Sequence, residues 1–200
     1  MQAAADERYV LRNARHLAAD YVLRSVREGD VVVDATMGNG ADTLFLAKLV
    51  GDTGRVYAFD VQKEALENTR ARLEEAGVGE RAVLLLAGHE TMREHVKEAP
   101  QAVMFNLGWL PGAAHAVTTY THTTLEAVNA AIEMVRPGGV VSVCVYPGHE
   151  EGRRELEALI QFASGLCVRT YNVLHHHFLC APPHTPQLIL IQKNAYAKNC

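Results

Sequence analysis

The feature that most restricts this chain is an alternation. Continuously apolar runs, VVVDA (31–35), RVYAFD (55–60), RAVLLLAG (81–88), QAVMFN (101–106) and VVSVCVY (140–146), are separated by stretches with helical periodicity. The helical stretches are ADTLFLAKLV (41–50), KEALENTRARLEEAG (63–77) and TTLEAVNAAIEMVRPGG (123–139), with EEGRRELEALIQFAS (150–164) after the fifth run and a short helix to about residue 97 after the third. A strand that is apolar at every position, rather than at every second one, has to be covered on both faces. Such strands alternating with helices build βαβ units, so the pattern predicts an α/β fold with a mostly parallel sheet and helices on both faces. The last two apolar runs, LCVRTYNVL (166–174) and QLILIQK (187–193), have only HHHFLCAPPHTP between them. They are expected to pair antiparallel at one edge of a seven-stranded sheet. Residues 7–28 read as an amphipathic helix with Val10, Ala14, Leu17 and Tyr21 on one face and Asp6 as its cap. No repeat or linker breaks the 200 residues, so one domain is expected, with 194–200 as a disordered tail.

Composition sets further bounds. Hydrophobic residues make up 48% and charged residues 21%, with no apolar run long enough for a membrane span. The start MQAAADERYV lacks the apolar core of a signal peptide, so a cytoplasmic setting is expected. A formal charge of −4 argues against a protein held on nucleic acid by bulk charge. It leaves room for a local basic face, and Arg8, Arg12, Arg15, Arg24 and Arg27 lie mainly off the apolar side of the first helix. Cys144, Cys167, Cys180 and Cys200 form no C-x-x-C and are expected as reduced thiols. His175, His176, His177 and His184 invite a metal reading, but neighbours on a strand point to opposite faces and no acid or cysteine stands at a zinc-type spacing. No metal site is expected, and the loop reads better as facing RNA with its imidazoles.

Ligands of open α/β sheets sit outside the carboxyl ends of the strands. The first strand ends in Asp34-Ala35-Thr36-Met37-Gly38-Asn39-Gly40 and enters a helix directly; the second ends at Asp60, 22 residues after Gly38. Glycines let backbone approach a ligand, and an acid at the second strand end can accept from both hydroxyls of a ribose. The dinucleotide pattern G-x-G-x-x-G is absent, because Thr43 stands where its third glycine would be. Asp34 would repel a pyrophosphate and would suit a ligand with ammonium and sulfonium charges, which describes S-adenosylmethionine. D-x-T-x-G-x-G is similar to the E/D-x-G-x-G-x-G loop of class I methyltransferases, with Thr36 in place of the first glycine. Gly88-His89-Glu90 ends the third strand, where His89 and Glu90 are candidates for the adenine; Glu90 in the first turn of the next helix is the alternative.

The fourth strand ends in FNLGWLPG (105–112), with Asn106 followed three residues later by Trp109, the single tryptophan. Asn106 stands where amino-methyltransferases place the first residue of an (N/D)-P-P-(Y/F) motif, and Trp109 where they place the aromatic ring. A buried tryptophan anchoring a loop is the structural alternative. Beyond these motifs, DATMGNGADTLFLA, VYAFDVQ, GHE, MFNLGWLPG, TTLEA and VYPGHEEG, in this order, resemble the family once labelled rRNA methylases. That family is now associated with the tRNA wobble-uridine methyltransferase acting on 5-aminomethyl-2-thiouridine, and the resemblance spans roughly residues 7 to 193. It implies a Rossmann-like fold, methyl transfer from S-adenosylmethionine to the exocyclic amine at tRNA position 34, contact with the anticodon stem-loop, and a homodimer.

The implied cofactor contacts are Asp34, Thr36, Met37, Gly38, Asn39 and Gly40, then Asp42 and Thr43 at the helix start. Asp60, Val61, Gln62, His89, Glu90 and Asn106 complete that set. The implied reacting side consists of Asn106, the Leu107 carbonyl, Trp109, Tyr146 and His149, with His149 or Glu150 as proton acceptor unless YPGHEEG is only a helix-capping turn. The final loop keeps Pro182-Pro183 but lacks the asparagines usual in the family. Other readings left open are an rRNA, another tRNA base or a small amine as substrate, a nicotinamide-dependent oxidoreductase, and a non-catalytic scaffold.

Overall fold

The structure is a computed structural model that describes residues 11–108 and 119–196. In chain order the elements are α1 (Ala14–Ser25), β1 (Val31–Asp34), α2 (Ala41–Val50), β2 (Arg55–Asp60), α3 (Lys63–Glu75), β3 (Ala82–Leu86), α4 (Met92–His95), β4 (Ala102–Asn106), α5 (Thr121–Met134), β5 (Val140–Val145), α6 (Glu150–Ser164), β6 (Tyr171–His176) and β7 (Gln187–Lys193). The strands form one seven-stranded sheet in the order β3-β2-β1-β4-β5-β7-β6. The first five are mutually parallel, and β7 runs antiparallel to both β5 and β6. The expected antiparallel pair therefore closes one edge, with β6 outermost. Burial explains that order: β7 is buried from Gln187 to Ile191, whereas β6 alternates between half-buried and exposed positions and tolerates the edge.

The unbroken apolar runs serve two cores. Val33, Phe59, Val103, Phe105, Val141, Val143, Ile189 and Ile191 point to one face, where they pack with α5 and α6 residues such as Ala127, Val128, Ile132 and Leu159. Val32, Val56, Ala102, Met104, Val140, Cys144 and Leu188 point to the other, against Ala14, Leu17, Ala18 and Val22 of α1 and Leu46 and Val50 of α2. Residues 102–105 of β4 alternate between the two cores, which is why the strand shows no polar position before Asn106.

Several boundaries differ from the sequence expectation. Helix α1 begins at Ala14, and its cap is Asn13, whose side chain accepts from the His16 N–H at 3.0 Å; Asp6 and Val10 lie outside the described residues. Helix α5 ends at Met134, because Pro137 bars the residues before it from continuing the helix. Residues 166–170 turn rather than extend, with Thr170 and Tyr171 N–H both donating to the Cys167 carbonyl at 2.9 Å. Strand β6 thereby shifts toward the histidines, so His175 and His176 belong to the strand. Cys144 and Cys180 are free thiols, but Cys167 is disulfide-bonded, which corrects the expectation that all are reduced. The supposed tail is anchored at its start: Asn194 donates to the carbonyls of Thr170, Val168 and Arg169 at 2.8, 3.3 and 3.0 Å.

Leu159 is 1% exposed and sits between α6 and the sheet. Leu159→Ala is expected to lower the unfolding free energy by roughly 2–5 kcal/mol in urea titrations; a change within measurement error would mean that α6 does not share the main core.

Candidate active site at the carboxyl ends of the strands

Strand order reverses between β1 and β4, so the connections leaving their carboxyl ends diverge and open a crevice. A tie holds the two sides together: the Asn106 N–H donates to Thr36 Oγ1 at 2.7 Å. Behind it, Asp34 is almost fully buried, accepting from the Thr36 N–H at 3.2 Å and from Thr43 Oγ1 at 2.6 Å. Burial, with Asp42 and Asp60 nearby, pushes the Asp34 carboxyl up to about 7 despite those two donors. Asp60 accepts from the Gly38 N–H and from the Gln62 N–H, each at 3.0 Å. It thus clamps the glycine loop to the end of β2, with a further lone pair on each oxygen for a ligand. Gly40 has φ +74°, and a Cβ there would lie 2.8 Å from the Thr69 Cα, so only glycine lets the loop turn into α2 here.

The Asn106 side chain is held as firmly as its backbone. Its Nδ2 donates to Asp42 Oδ2. Asp42 Oδ1 in turn accepts from Arg15 Nε and Nη2 at 3.1 and 2.7 Å. Asn106 Oδ1 is buried and accepts no hydrogen bond among the described residues. An orphaned acceptor at a cleft wall is costly unless a ligand supplies the donor. Leu107 is buried, its N–H bonded to the Cys144 carbonyl at 2.9 Å. Beyond it, Gly108 and Thr119 close on each other through two bonds, Thr119 N–H to the Gly108 carbonyl at 3.2 Å and Gly108 N–H to Thr119 Oγ1 at 3.1 Å. The Thr119 hydroxyl then donates to the buried Glu155 carboxylate at 3.0 Å, which also accepts from Thr124 Oγ1 at 2.7 Å. Burial raises the Glu155 carboxyl above its ordinary value.

Around these groups lies a cleft of about 560 Å³, within the usual size of a small-molecule site. Of the residues expected at the cofactor, Thr36, Met37, Gly38, Asn39, Asp42, Asp60, Val61, Gln62, His89, Glu90 and Asn106 line it. Asp34, Gly40 and Thr43 are not among its lining residues; they shape its wall from behind. Leu107, Tyr146 and His149 line it as well, and Trp109 lies outside the described residues. Sequence reasoning missed Arg15, Phe59, Thr119, Tyr120 and Thr123 as lining residues. Arg15 carried no signal to separate it from the other arginines of α1, and Thr119 and Tyr120 stand ahead of the helix pattern, with Thr123 at its first position.

Two assignments change with the geometry. His149 caps α6: its Nδ1 accepts the Gly152 N–H at 3.2 Å, so that lone pair cannot take a proton without releasing the helix end. Glu150 is 71% exposed, pairs with Arg154, and is not a lining residue. His89 donates Nδ1–H to the Ala35 carbonyl at 3.2 Å, which leaves Nε2 as an acceptor; burial lowers its pKa and keeps the ring neutral. Burial likewise raises the Tyr146 phenol. Among the described residues, no group of three or more His, Cys, Asp or Glu gathers as a metal site.

The donor set fits a cationic nucleoside. Asp34, Asp42 and Asp60 converge on one end, and Arg15 is the sole Arg or Lys among the described lining residues. A pyrophosphate would meet carboxylates there, whereas a ligand with a positive charge and a ribose would relieve them. Fold and cleft together define a class I methyltransferase.

The family model described as "Putative rRNA methylase" matches residues 56–192, and the chain belongs to that family. A curated relative, the chloroplastic tRNA (mnm(5)s(2)U34)-methyltransferase of Arabidopsis thaliana, is 44% identical over 78% of this chain. The chain spans 61% of that relative's length. The crystal structure of a "putative rRNA-methylase" from Clostridium thermocellum superposes with a TM-score of 0.89 at 38% identity, covering 91% of this chain and 98% of the other. A "putative methyltransferase" from Streptococcus mutans in complex with SAH gives a TM-score of 0.83 at 34% identity, covering 91% and 98%.

Because folding raises the Asp34 pKa from about 3.9 toward about 7, the folded chain binds more protons between those values, and Asp34 makes stability fall as pH rises through that window. Asp34→Asn is expected to flatten this fall, by at most about 3 kcal/mol, in urea unfolding at pH 5 and pH 8. Equal pH dependence in both proteins would show that Asp34 ionises without cost.

Proposed function

We propose that this protein transfers a methyl group from S-adenosylmethionine to the exocyclic amine of 5-aminomethyl-2-thiouridine at position 34 of a tRNA. The observation that carries the reading is Asn106 Oδ1, a buried acceptor with no donor, on the cleft wall at the end of β4. An amine N–H is the donor it lacks. The name of the Arabidopsis relative supports a wobble-uridine substrate, and the structure with SAH supports the cofactor.

S-adenosylmethionine supplies a methyl carbon on a sulfonium, a good leaving group, so the chain's task is placement. Asp60 and Gln62 take the ribose side, His89 and Glu90 the base. Asn106 Oδ1 accepts an N–H of the incoming amine and turns its lone pair toward the methyl. An alkylamine is mostly protonated at neutral pH, and the apolar walls, Phe59 and Leu107 among them, favour its neutral form by desolvation. The reading has the amine shed its proton to water on entry, since His149 Nδ1 is engaged in its cap and Glu150 in its pair with Arg154. Leu107 and Tyr146 shape the pocket.

The reading brings with it an anticodon stem-loop as macromolecular partner, a homodimer as working form, and a cytoplasmic setting. No helix among the described residues is long and apolar enough to cross a membrane.

Nucleoside mass spectrometry tests the proposal. Incubation with S-adenosylmethionine and tRNA carrying 5-aminomethyl-2-thiouridine is expected to add one methyl to that nucleoside. Asn106→Ala is expected to lower turnover by about 100-fold or more, with cofactor affinity changed little. Methylation of rRNA or of a free amine, and none of this tRNA, would overturn the substrate assignment.

A further inference from the structure

We propose that Asp42 is a positioning residue whose carboxylate decides which end of the Asn106 amide faces the cleft. This rests on the reading of Asn106 as acceptor for the substrate amine. An asparagine amide is nearly symmetric in shape: turning it by half a revolution exchanges a donor for an acceptor. A cleft built to receive an N–H needs the oxygen outward. The backbone of Asn106 does not settle this, since its bond to Thr36 Oγ1 holds only the main chain.

Asp42 settles it. A carboxylate only accepts, so the amide nitrogen has to face Asp42 Oδ2, and the reversed amide would set oxygen against oxygen. Asp42 is not free to swing away. Its other oxygen is gripped by Arg15 through Nε and Nη2 at 3.1 and 2.7 Å, and its side chain is only 14% exposed. The result is a chain of three groups from three elements, Arg15 on α1, Asp42 on α2 and Asn106 on β4. It leaves Asn106 Oδ1 buried, without a partner, as the free end. Asp42 lines the cleft and keeps one lone pair on Oδ2, so contact with the cofactor is the alternative that the test separates.

The test compares wild type, Asp42→Asn, Asn106→Asp and the double exchange. In Asp42→Asn the new amide can donate to the Asn106 oxygen, so the reversed orientation is satisfied and the nitrogen turns to the cleft. Turnover of the amine substrate at saturating S-adenosylmethionine is expected to fall about 100-fold, well beyond any loss of cofactor affinity from the removed charge. In the double exchange, a carboxylate at position 106 again faces a donor at position 42 and keeps an acceptor toward the cleft. Turnover is expected to recover by about tenfold over Asp42→Asn. A readout without catalysis is the Asn106 side-chain amide in proton–nitrogen NMR spectra, assigned by its loss in Asn106→Asp. In wild type one amide proton should lie downfield, bonded to a carboxylate, and it should move upfield in Asp42→Asn.

Loss of cofactor affinity in Asp42→Asn with no recovery in the double exchange would make Asp42 a cofactor contact and overturn the proposal. Unchanged turnover with an unchanged amide resonance would overturn it too. If the resonance moves as expected while even wild type fails to methylate the amine, the orientation device stands and the proposed function falls.

Discussion

One hydrogen bond, from the Asn106 N–H to the Thr36 hydroxyl, joins the loop after β1 to the end of β4, and the cleft depends on it. Strands that neighbour each other at a switch point send their connections to opposite faces of the sheet, and the ladder between β1 and β4 ends with the Ala35 N–H donating to the Met104 carbonyl at 2.8 Å, so past that residue side chains carry the connection. Thr36 stands in the glycine loop where glycine would be the simpler choice for a turn. Its side chain explains the exception, since glycine has no hydroxyl with which to reach β4. With the tie in place, Asp60 fixes the other flank of the loop through the Gly38 N–H, and Asp42 meets Asn106 across the crevice.

Buried carboxylates recur in this design. Asp34 and Glu155 are each about 1% exposed, and each leans on threonine hydroxyls rather than on a cation among the described residues. Both are pushed upward in pKa by burial, which marks them as groups that cost stability when ionised. Their placement separates two tasks. Asp34 supports the glycine loop after β1. Glu155 holds Thr119, whose hydroxyl accepts from the Gly108 N–H beyond the end of β4. The two apolar cores, one on each face of the sheet, offset those costs and keep the strand ends in register.

Much of this was legible in the chain. Runs such as VVSVCV, apolar at every position, required cover on both faces, and the fold followed. The acids at the ends of β1 and β2 and the asparagine at the end of β4 marked the cleft, because a strand end is a fixed point from which the spatial neighbourhood can be inferred. What lay outside that logic was missed. Arg15 reaches the cleft from α1, Thr119 and Tyr120 from the approach to α5 and Thr123 from its first turn; no periodicity signals such contacts across elements. Strand β6 sits farther along the chain than its apolar run suggests, because its pairing is dictated by β7 and not by its own composition. His149 looked like a base by chemistry and proves to be a cap, since a helix end consumes the nearest acceptor.

On our proposal the carboxylate-rich cleft at the β1–β4 switch is built for a cationic nucleoside. Calorimetric titration of the protein with S-adenosylmethionine and, separately, with NADH tests it most directly. The account predicts one molecule of S-adenosylmethionine per chain. Its affinity should rise from mildly acidic to neutral pH as the Asp34 carboxyl, which ionises near about 7, loses its proton to meet the ligand's positive charge. Heat from NADH and none from S-adenosylmethionine would contradict it.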